Sequence, residues 1–571
     1  MKRWLLALTG VLLLLAPLKF GAPVNLQSLV SIPGSGWEWV FWSWPNQLGV
    51  MAAAILFFLV ASERLQPVRI GALGILPAIF LGTQVLAMPM AICAQTALDT
   101  LLHFGACAAV FYAAARCARE ESGSNWIVGA LAAATLLVCA SALEQRFGGL
   151  EATRRFAAEN AGVVPHWAEA QAKLASGRVF GTLVYPNALA GFLALVFAPV
   201  LAWLWSKAEG AATKWGVCGV AGGVMLACLV FSGSRGGLVA AVVGGLVWIL
   251  FRKCSVKRWV VILLASAGVG LVLVVLSGGG LVKFSRSSLA ARLDYWGGAV
   301  RIVRDYPWFG TGPGTFGSIY PKYKTAATEE AQLVHNNFLE MWSDSGVAAF
   351  VVFAAMWGVG LWEAARVARR RGDAMSGALV AALAAWSVHG LLDFDLYVPG
   401  VAWPAFALLG VVQGLRVEEP PVGVSRVWRL RAVCAGLSAA AVFWICGRAV
   451  AAVAACGEKN FVAACEFAPR DPQYWSRIGD ATWLQRDGTA VLCFERAVAL
   501  DPMRAAHHAS LAFALGAMGR MEEAAKEFGE AARLNPTKRG YAEMLQKTQE
   551  SVRQKRDESG KVPSLSGEKK D

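Results

Sequence analysis

Apolar runs of close to twenty residues recur along roughly the first 450 positions of this 571-residue chain, each long enough to cross a hydrocarbon core about 30 Å thick as a helix. Lipid offers a backbone amide no partner, so a chain with many such runs is confined to a bundle of membrane-spanning helices. The composition agrees, with 56% hydrophobic residues and a mean hydropathy of +0.49, beyond what a soluble core requires. The runs predict about thirteen spans, centred near Leu12, Phe57, Ile79, Ala108, Ala134, Leu195, Gly222, Val242, Gly268, Phe353, Ala384, Ala407 and Ala440. The expected fold class is all-α: a polytopic helical membrane protein with a helical-repeat domain at its C-terminal end.

Orientation follows from the basic residues, which stay on the cytoplasmic side when they sit in short loops. Every second loop is basic: Lys2 and Arg3; Arg64 and Arg69; Arg116 and Arg119; Lys207 and Lys214; Arg252, Lys253, Lys257 and Arg258; Arg366 with Arg369, Arg370 and Arg371; and Arg416, Arg426, Arg429 and Arg431. An odd number of spans then carries the tail outside. Much of the net charge of +14 is thus topological, and no nucleic-acid partner is expected. The basic start and short apolar run of the first span also suit a signal peptide, but without a clean small-residue cleavage site an uncleaved span is the better reading.

Three outer segments are long enough to hold chemistry: Glu144 to about Tyr185, Gly278 to Ser345, and the tail after about Ala452. Most of the 12 cysteines lie inside spans as small apolar residues. Cys456, Cys465 and Cys493 face the outside and can pair, although their spacing fits no metal site. In the tail, CFERAVALDP, ending at Pro502, returns as EFGEAARLNP, ending at Pro536, at the helix-turn-helix period of a tetratricopeptide array. Leu511, Ala512, Leu515, Gly519, Ala524, Phe528, Ala531 and Pro536 fall where that repeat puts its packing residues. An earlier unit with Trp475, Ile478 and Gly479 is shorter. Two units bury little core, so they must dock on the membrane domain, a protein partner or a degenerate unit near Phe461. The expected divisions are residues 1–177, N-terminal spans and first outer loop; 178–415, the catalytic membrane core with outer loop 278–345; 416–455, linker and last span; 456–545, the repeats; and 546–571, a charged tail read as disordered.

His335, in LVHNNFLEMWSDSGVAAF, stands beside Asn336 and Asn337, just ahead of a short amphipathic segment that runs into an apolar span. A titratable imidazole at a membrane surface, with Glu340 and Asp344 following, suits proton transfer; the plainer reading is a capping histidine. Arg235, in FSGSRGGLVA, lies at the outer end of a span among small residues that leave its guanidinium accessible, against a plainer role of snorkelling to headgroups. In ARLDYWGGAVRIVRDYPWFGTGPGTFG, helical spacing puts Arg292 and Trp296 on one face with Arg301 and Arg304 nearby. Arg suits bidentate phosphate contact and Trp offers a sugar a stacking surface. GTGPGTFG is a turn that aims the chain back at the membrane, not a nucleotide loop: Pro313 interrupts the glycines and no Lys-Ser/Thr follows. His389 and Asp393, in WSVHGLLDFDLYVPG, form a second polar knot. Asp393 with Asp395 is thin support for a metal, so no metal and no cofactor are expected.

Taken in order, SGSRGG, ARLDYWGGAVRIVRDYPWFGTGPGTF, HNNFLEMWSDSG and HGLLDFDLYVPG resemble the O-antigen ligase and polymerase superfamily of bacterial envelope glycan enzymes, and GRVFGTLVYPNALAGFLAL, with Arg178 and Asn187, resembles the segment preceding that core. The resemblance runs from about Arg178 to Val412. It implies an inner-membrane glycosyltransferase whose donor is a glycan on undecaprenyl diphosphate at the outer leaflet. It also implies two arginines that bind the diphosphate and a loop histidine that serves the acceptor, roles that fall on Arg235, Arg292 and His335. Asp344 stands where the motif often has Glu, and keeps the charge.

The chemistry stands beside that resemblance. Transfer from a glycosyl diphosphate needs a stabilised leaving dianion, an acceptor hydroxyl relieved of its proton, and a site open to lipid and water. Arginines, a histidine and a membrane rim supply all three. The expected acceptor is lipid-anchored, another lipid-linked glycan as for a polymerase, or a protein Ser or Thr. A lipid-linked glycan transporter is the competing class, disfavoured because the ionisable groups gather at the rim rather than at the bilayer midplane.

Overall fold

The computed structural model describes residues 2–29, 32–63, 71–151, 154–155, 175–251, 287–325, 330–416, 427–483 and 488–559. The expected span near Gly268, most of the first outer loop, and the basic residues Arg64, Arg69, Arg252, Lys253, Lys257, Arg258 and Arg426 lie outside them. No strand occurs among the described residues.

The membrane part comprises α1 (Lys2–Lys19), α2 (Gly36–Phe41), α3 (Asn46–Ala61), α4 (Ala72–Ala87), α5 (Ala94–Cys117), α6 (Gly123–Glu144), α7 (Pro186–Lys207), α8 (Ala211–Phe231), α9 (Arg235–Leu250), α10 (Ser287–Asp305), α11 (Phe316–Tyr323), α12 (Asn337–Arg371), α13 (Ala374–Gly390), α14 (Pro399–Leu415) and α15 (Trp428–Gly457). Each expected span centre among the described residues falls on a helix. Among the described residues, seven segments are long and apolar enough to cross a membrane, and four shorter apolar helices (α3, α9, α13 and α14) accompany them.

The middle of the bundle is occupied by α14, buried nearly throughout; it packs on α5, and α7 packs on α13 and α9. Small residues permit this closeness: a Cβ on Gly410 of α14 would lie 2.3 Å from the Phe111 carbonyl oxygen of α5. At the rim stands α15, mostly exposed, as a lipid-facing helix should be.

The longest helix, α12, breaks at Gly346, whose φ of +80° is open only to glycine at low cost. The break is held by the loop after α10. Thr311 N donates to Ser343 O (3.2 Å), Gly312 N to Asp344 O (2.8 Å) and Val347 N to Pro307 O (3.1 Å). Gly314 N and Tyr397 Oη both donate to Asp344 Oδ2, at 2.8 and 2.9 Å. The glycine-rich turn therefore replaces helical hydrogen bonds with its own amides. A Cβ at position 346 would lie 2.0 Å from the Trp308 carbonyl oxygen. Gly346→Ala should accordingly cost more than about 1 kcal/mol, read as a lower Tm of the purified protein in detergent. Gly358→Ala, in open space on the same helix, should leave Tm unchanged or raise it.

Short helices follow: α16 (Phe461–Phe467), α17 (Pro472–Thr482), α18 (Thr489–Leu500), α19 (Ala505–Ala517), α20 (Met521–Leu534) and α21 (Arg539–Ser559), each packed on the next. Leu511, Ala512, Leu515, Ala524, Phe528 and Ala531 are buried between them. Cys465 and Cys493 share an apolar cluster with Ile478 as free thiols, and Cys456 is also unpaired. One boundary is corrected. The segment read as disordered from residue 546 continues α21 as far as Ser559, because Tyr541 and Thr548 are buried where α21 packs on α20. Residues 560–571 lie outside the described set.

His507 is buried in this tail, with Nδ1 3.0 Å from Ser476 Oγ. Burial lowers it from the ordinary 6.5 to about 4. Its neutral form is the one the fold accepts, so its contribution to stability is complete above pH 6.5 and lost as pH falls toward 4. These C-terminal helices should lose on the order of 2–3 kcal/mol across that window, seen as a falling Tm. His507→Gln should flatten that part of the pH dependence.

Candidate active site

Four segments distant in sequence meet at one end of the bundle. The first runs from Gly177 into α7. Its path is fixed by Gln145 at the end of α6: Oε1 accepts from Phe180 N (3.0 Å) and Gly181 N (2.9 Å), and Nε2 donates to Gly181 O (2.8 Å). One buried amide thus satisfies three backbone groups and holds Arg178 in place. Arg178 Nε donates to Ser232 O at 2.7 Å and Nη2 to Asn187 Oδ1 at 2.6 Å. Asn187 Nδ2 in turn donates to Asp393 Oδ2 at 2.6 Å.

Asp393 is the hub. It lies in the loop between α13 and α14, its side chain 2% exposed. Besides Asn187, Oδ2 accepts from Arg292 Nη2 of α10 at 3.1 Å, and Oδ1 accepts from Phe394 N at 3.0 Å and lies 3.4 Å from His335 Nδ1. Burial opposes ionisation of this carboxyl, but His335, Arg292 and His389 outweigh it and hold it well below the usual carboxylate range.

The imidazole of His335 is 24% exposed. The ring stacks on Tyr295 of α10 at 5.6 Å and meets the Phe394 edge at 4.6 Å, while Trp296 Nε1 donates to the His335 carbonyl at 3.3 Å. The backbone has a φ of +58°, a left-handed conformation that a non-glycine residue holds only when its surroundings enforce it. Next to it, Asn336 caps α12, its Oδ1 accepting from Phe338 N (3.0 Å) and Leu339 N (3.1 Å). The Asn336 side chain is thus committed to backbone.

Behind Asp393, His389 Nδ1 donates to Asp395 Oδ2 at 2.5 Å, both fully buried. The two carboxylates considered for a metal therefore face different partners. Arg235 opens α9, where Ser234 Oγ caps the helix by accepting from Gly237 N at 3.2 Å. Its side chain is exposed, and the following Gly236 abuts the polar knot: a Cβ there would lie 3.4 Å from Leu392 Cβ and 3.6 Å from His389 Cδ2.

The structure thus brings together Arg178, Arg292, Trp296, His335, His389 and Asp393, with Arg235 at their border. Arg301 and Arg304 are elsewhere. Arg301 donates twice to the Tyr323 carbonyl (3.0 and 2.6 Å), bracing α10 against the end of α11, and Arg304 is exposed. Sequence reasoning missed Tyr295, which the one-turn spacing from Arg292 would have placed beside it. It also missed Asp395 as partner to His389, and Gln145, a lone amide ending an apolar helix that carries no signal.

A cationic rim against a buried carboxylate held in its ionised form, with an imidazole 3.4 Å from it, can bind an anion and accept a proton. Residues 220–354 match a family model described as Wzy_C, O-Antigen ligase. Arg235, Arg292 and His335 fall inside the match; Arg178, His389 and Asp393 fall outside it. No curated protein matches the chain. At the level of the family, the match supports a membrane glycosyltransferase of the O-antigen ligase superfamily.

Proposed function

We propose that this protein transfers an oligo- or polysaccharide from undecaprenyl diphosphate to an acceptor at the outer face of the bacterial inner membrane, in the manner of an O-antigen ligase. The carrying observation is the Asp393–His335 contact beside Arg292. With Nδ1 facing Asp393, His335 offers Nε2 to the acceptor hydroxyl. The hydroxyl oxygen attacks the anomeric carbon, its proton passes to His335, and Asp393 stabilises the imidazolium. The bond from carbon to diphosphate oxygen breaks with its electron pair leaving on the diphosphate, and the configuration inverts. Arg292 and Arg235 hold that departing charge; Arg178, through Asn187, keeps Asp393 in place. The donor is already activated, so neither metal nor cofactor is required.

The basic loops argue for a periplasmic site. The described contacts put the His335 segment and the C-terminal helices, proposed to be tetratricopeptide units, at the same end of the bundle. Mass analysis of lipid-linked glycans in a deletion strain tests the reading. Accumulated full-length chains support a ligase, accumulated single repeats a polymerase, and unglycosylated protein with unchanged intermediates a protein acceptor. Unchanged glycans on lipid and protein alike would sink it.

A further inference from the structure

The chain leading to His335 is gripped from outside the membrane part by two turns of the C-terminal helices, at Ser318 of α11 and at Glu330. Asp501, at the turn between α18 and α19, is 1% exposed and its Oδ2 accepts from Ser318 Oγ of α11 at 2.9 Å. Arg504 closes the contact, donating from Nε to Asp501 Oδ2 (2.9 Å) and from Nη2 to Ser318 Oγ (3.3 Å). Asn535, at the turn between α20 and α21, donates from Nδ2 to Glu330 Oε1 at 2.7 Å, with Lys538 3.9 Å from the same carboxylate.

Asp501 and Asn535 are the same position of successive repeats, 34 residues apart and each followed by proline. A repeat array presents equivalent residues along one edge, and here that edge meets the chain leading to His335 at Ser318 and again at Glu330. Between the two grips, Met503 packs on the cluster of Tyr295, Phe316, Tyr320, Ala331 and Val334. That cluster leads to the imidazole: Phe316 stacks on Tyr320 (4.9 Å), Tyr320 meets Tyr295 edge-on (5.6 Å), and Tyr295 stacks on His335.

We infer that Asp501 and Asn535 are positioning residues for His335, so that the repeats form part of the active site's supporting shell rather than a separate appendage. The inference rests on the proposed role of His335. A left-handed backbone at that residue needs enforcement from its surroundings. On the membrane side Asn25 Nδ2 donates to Gln332 O at 3.2 Å, Trp296 Nε1 to the His335 carbonyl at 3.3 Å and Thr325 Oγ1 to Asp294 Oδ1 at 2.6 Å. The repeats brace the same stretch from outside.

The test uses full-length protein in proteoliposomes with a polyprenyl-diphosphate-linked oligosaccharide and its acceptor. Asp501→Ala and Ser318→Ala should each lower kcat about tenfold, because small displacements of a catalytic group are costly, with both KM values within about twofold of wild type. The double variant should fall no further than the worse single one, since both remove one contact. Asp501→Asn, which keeps an oxygen for Ser318, should recover most of the rate, and Asn535→Ala should act additively with Asp501→Ala. Wild-type kcat in Asp501→Ala, strictly additive losses for the Ser318 and Asp501 pair, or a loss that only follows a lowered Tm would each overturn the inference. His335→Ala, measured alongside, separates the two ideas: if it is fully active, the proposed chemistry fails; if it is inactive while the Asp501 variants are normal, only the positioning role does.

Discussion

His335→Ala is expected to lower transfer by about a hundred- to ten-thousand-fold, the usual contribution of a positioned acid or base, while donor binding survives. Binding is expected to persist because the guanidinium groups of Arg292 and Arg235 do not depend on the imidazole. The variant also relieves a left-handed non-glycine backbone of no obligation, since Ala at a φ of +58° is no easier than His; its Tm should therefore stay near that of wild type or fall slightly. The measurement is single-turnover transfer in proteoliposomes with separate titration of the lipid-linked donor. Near-normal turnover, or joint loss of donor binding and stability, would return His335 to a packing role.

Asp393→Asn is expected to cost about a hundredfold or more in kcat. The carboxylate receives Arg292, Asn187 and Phe394 N and faces His335 Nδ1. An amide must point its NH2 group at one of these donors, and it cannot stabilise an imidazolium. Because Asp393 is held below the usual carboxylate range, its charge contribution is present above an unfolded value of about 3.9 and is lost only in stronger acid. Wild-type activity above pH 5 should therefore owe none of its pH dependence to Asp393. Arg292→Lys is expected to be comparably damaging: it keeps the charge, but an ammonium cannot hold Asp393 and a diphosphate with one planar group. Full activity of both variants would remove this pair from the site.

What the sequence made legible follows from periodicity. Helix spacing placed Arg292 and Trp296 on one face of α10, and the structure has both within reach of the His335 segment. The same reasoning failed for Arg301, because i,i+3 and i,i+4 neighbours share a face only locally, and by the end of α10 that guanidinium meets the Tyr323 carbonyl. The apolar runs marked helices wherever the structure describes them. They gave no sign that α12 breaks at Gly346, since a single glycine in an apolar helix has several readings. Asp393 was visible as part of a polar knot, yet its ties to Asn187, Arg292 and His335 join segments far apart in sequence that no local pattern connects. The Asp501 and Asn535 grips were hidden for another reason: the repeat signal concerns how the helices pack on each other, while these residues are spent on a contact outside the array.

The parts of the site reach the membrane in a fixed order. Asp393 follows Arg178 by 215 residues, and the loop that carries it is set only when α14 packs between α5 and α1. Chains are made from the N-terminus, so a nascent protein that has inserted α12 already displays His335 and Arg292 but has no carboxylate to hold them, and the turns bearing Asp501 and Asn535 come later still. If the proposed transfer is this protein's reaction, the site is complete only at the close of biogenesis, and an incompletely inserted copy lacks the carboxylate it would need to act on a lipid-linked glycan.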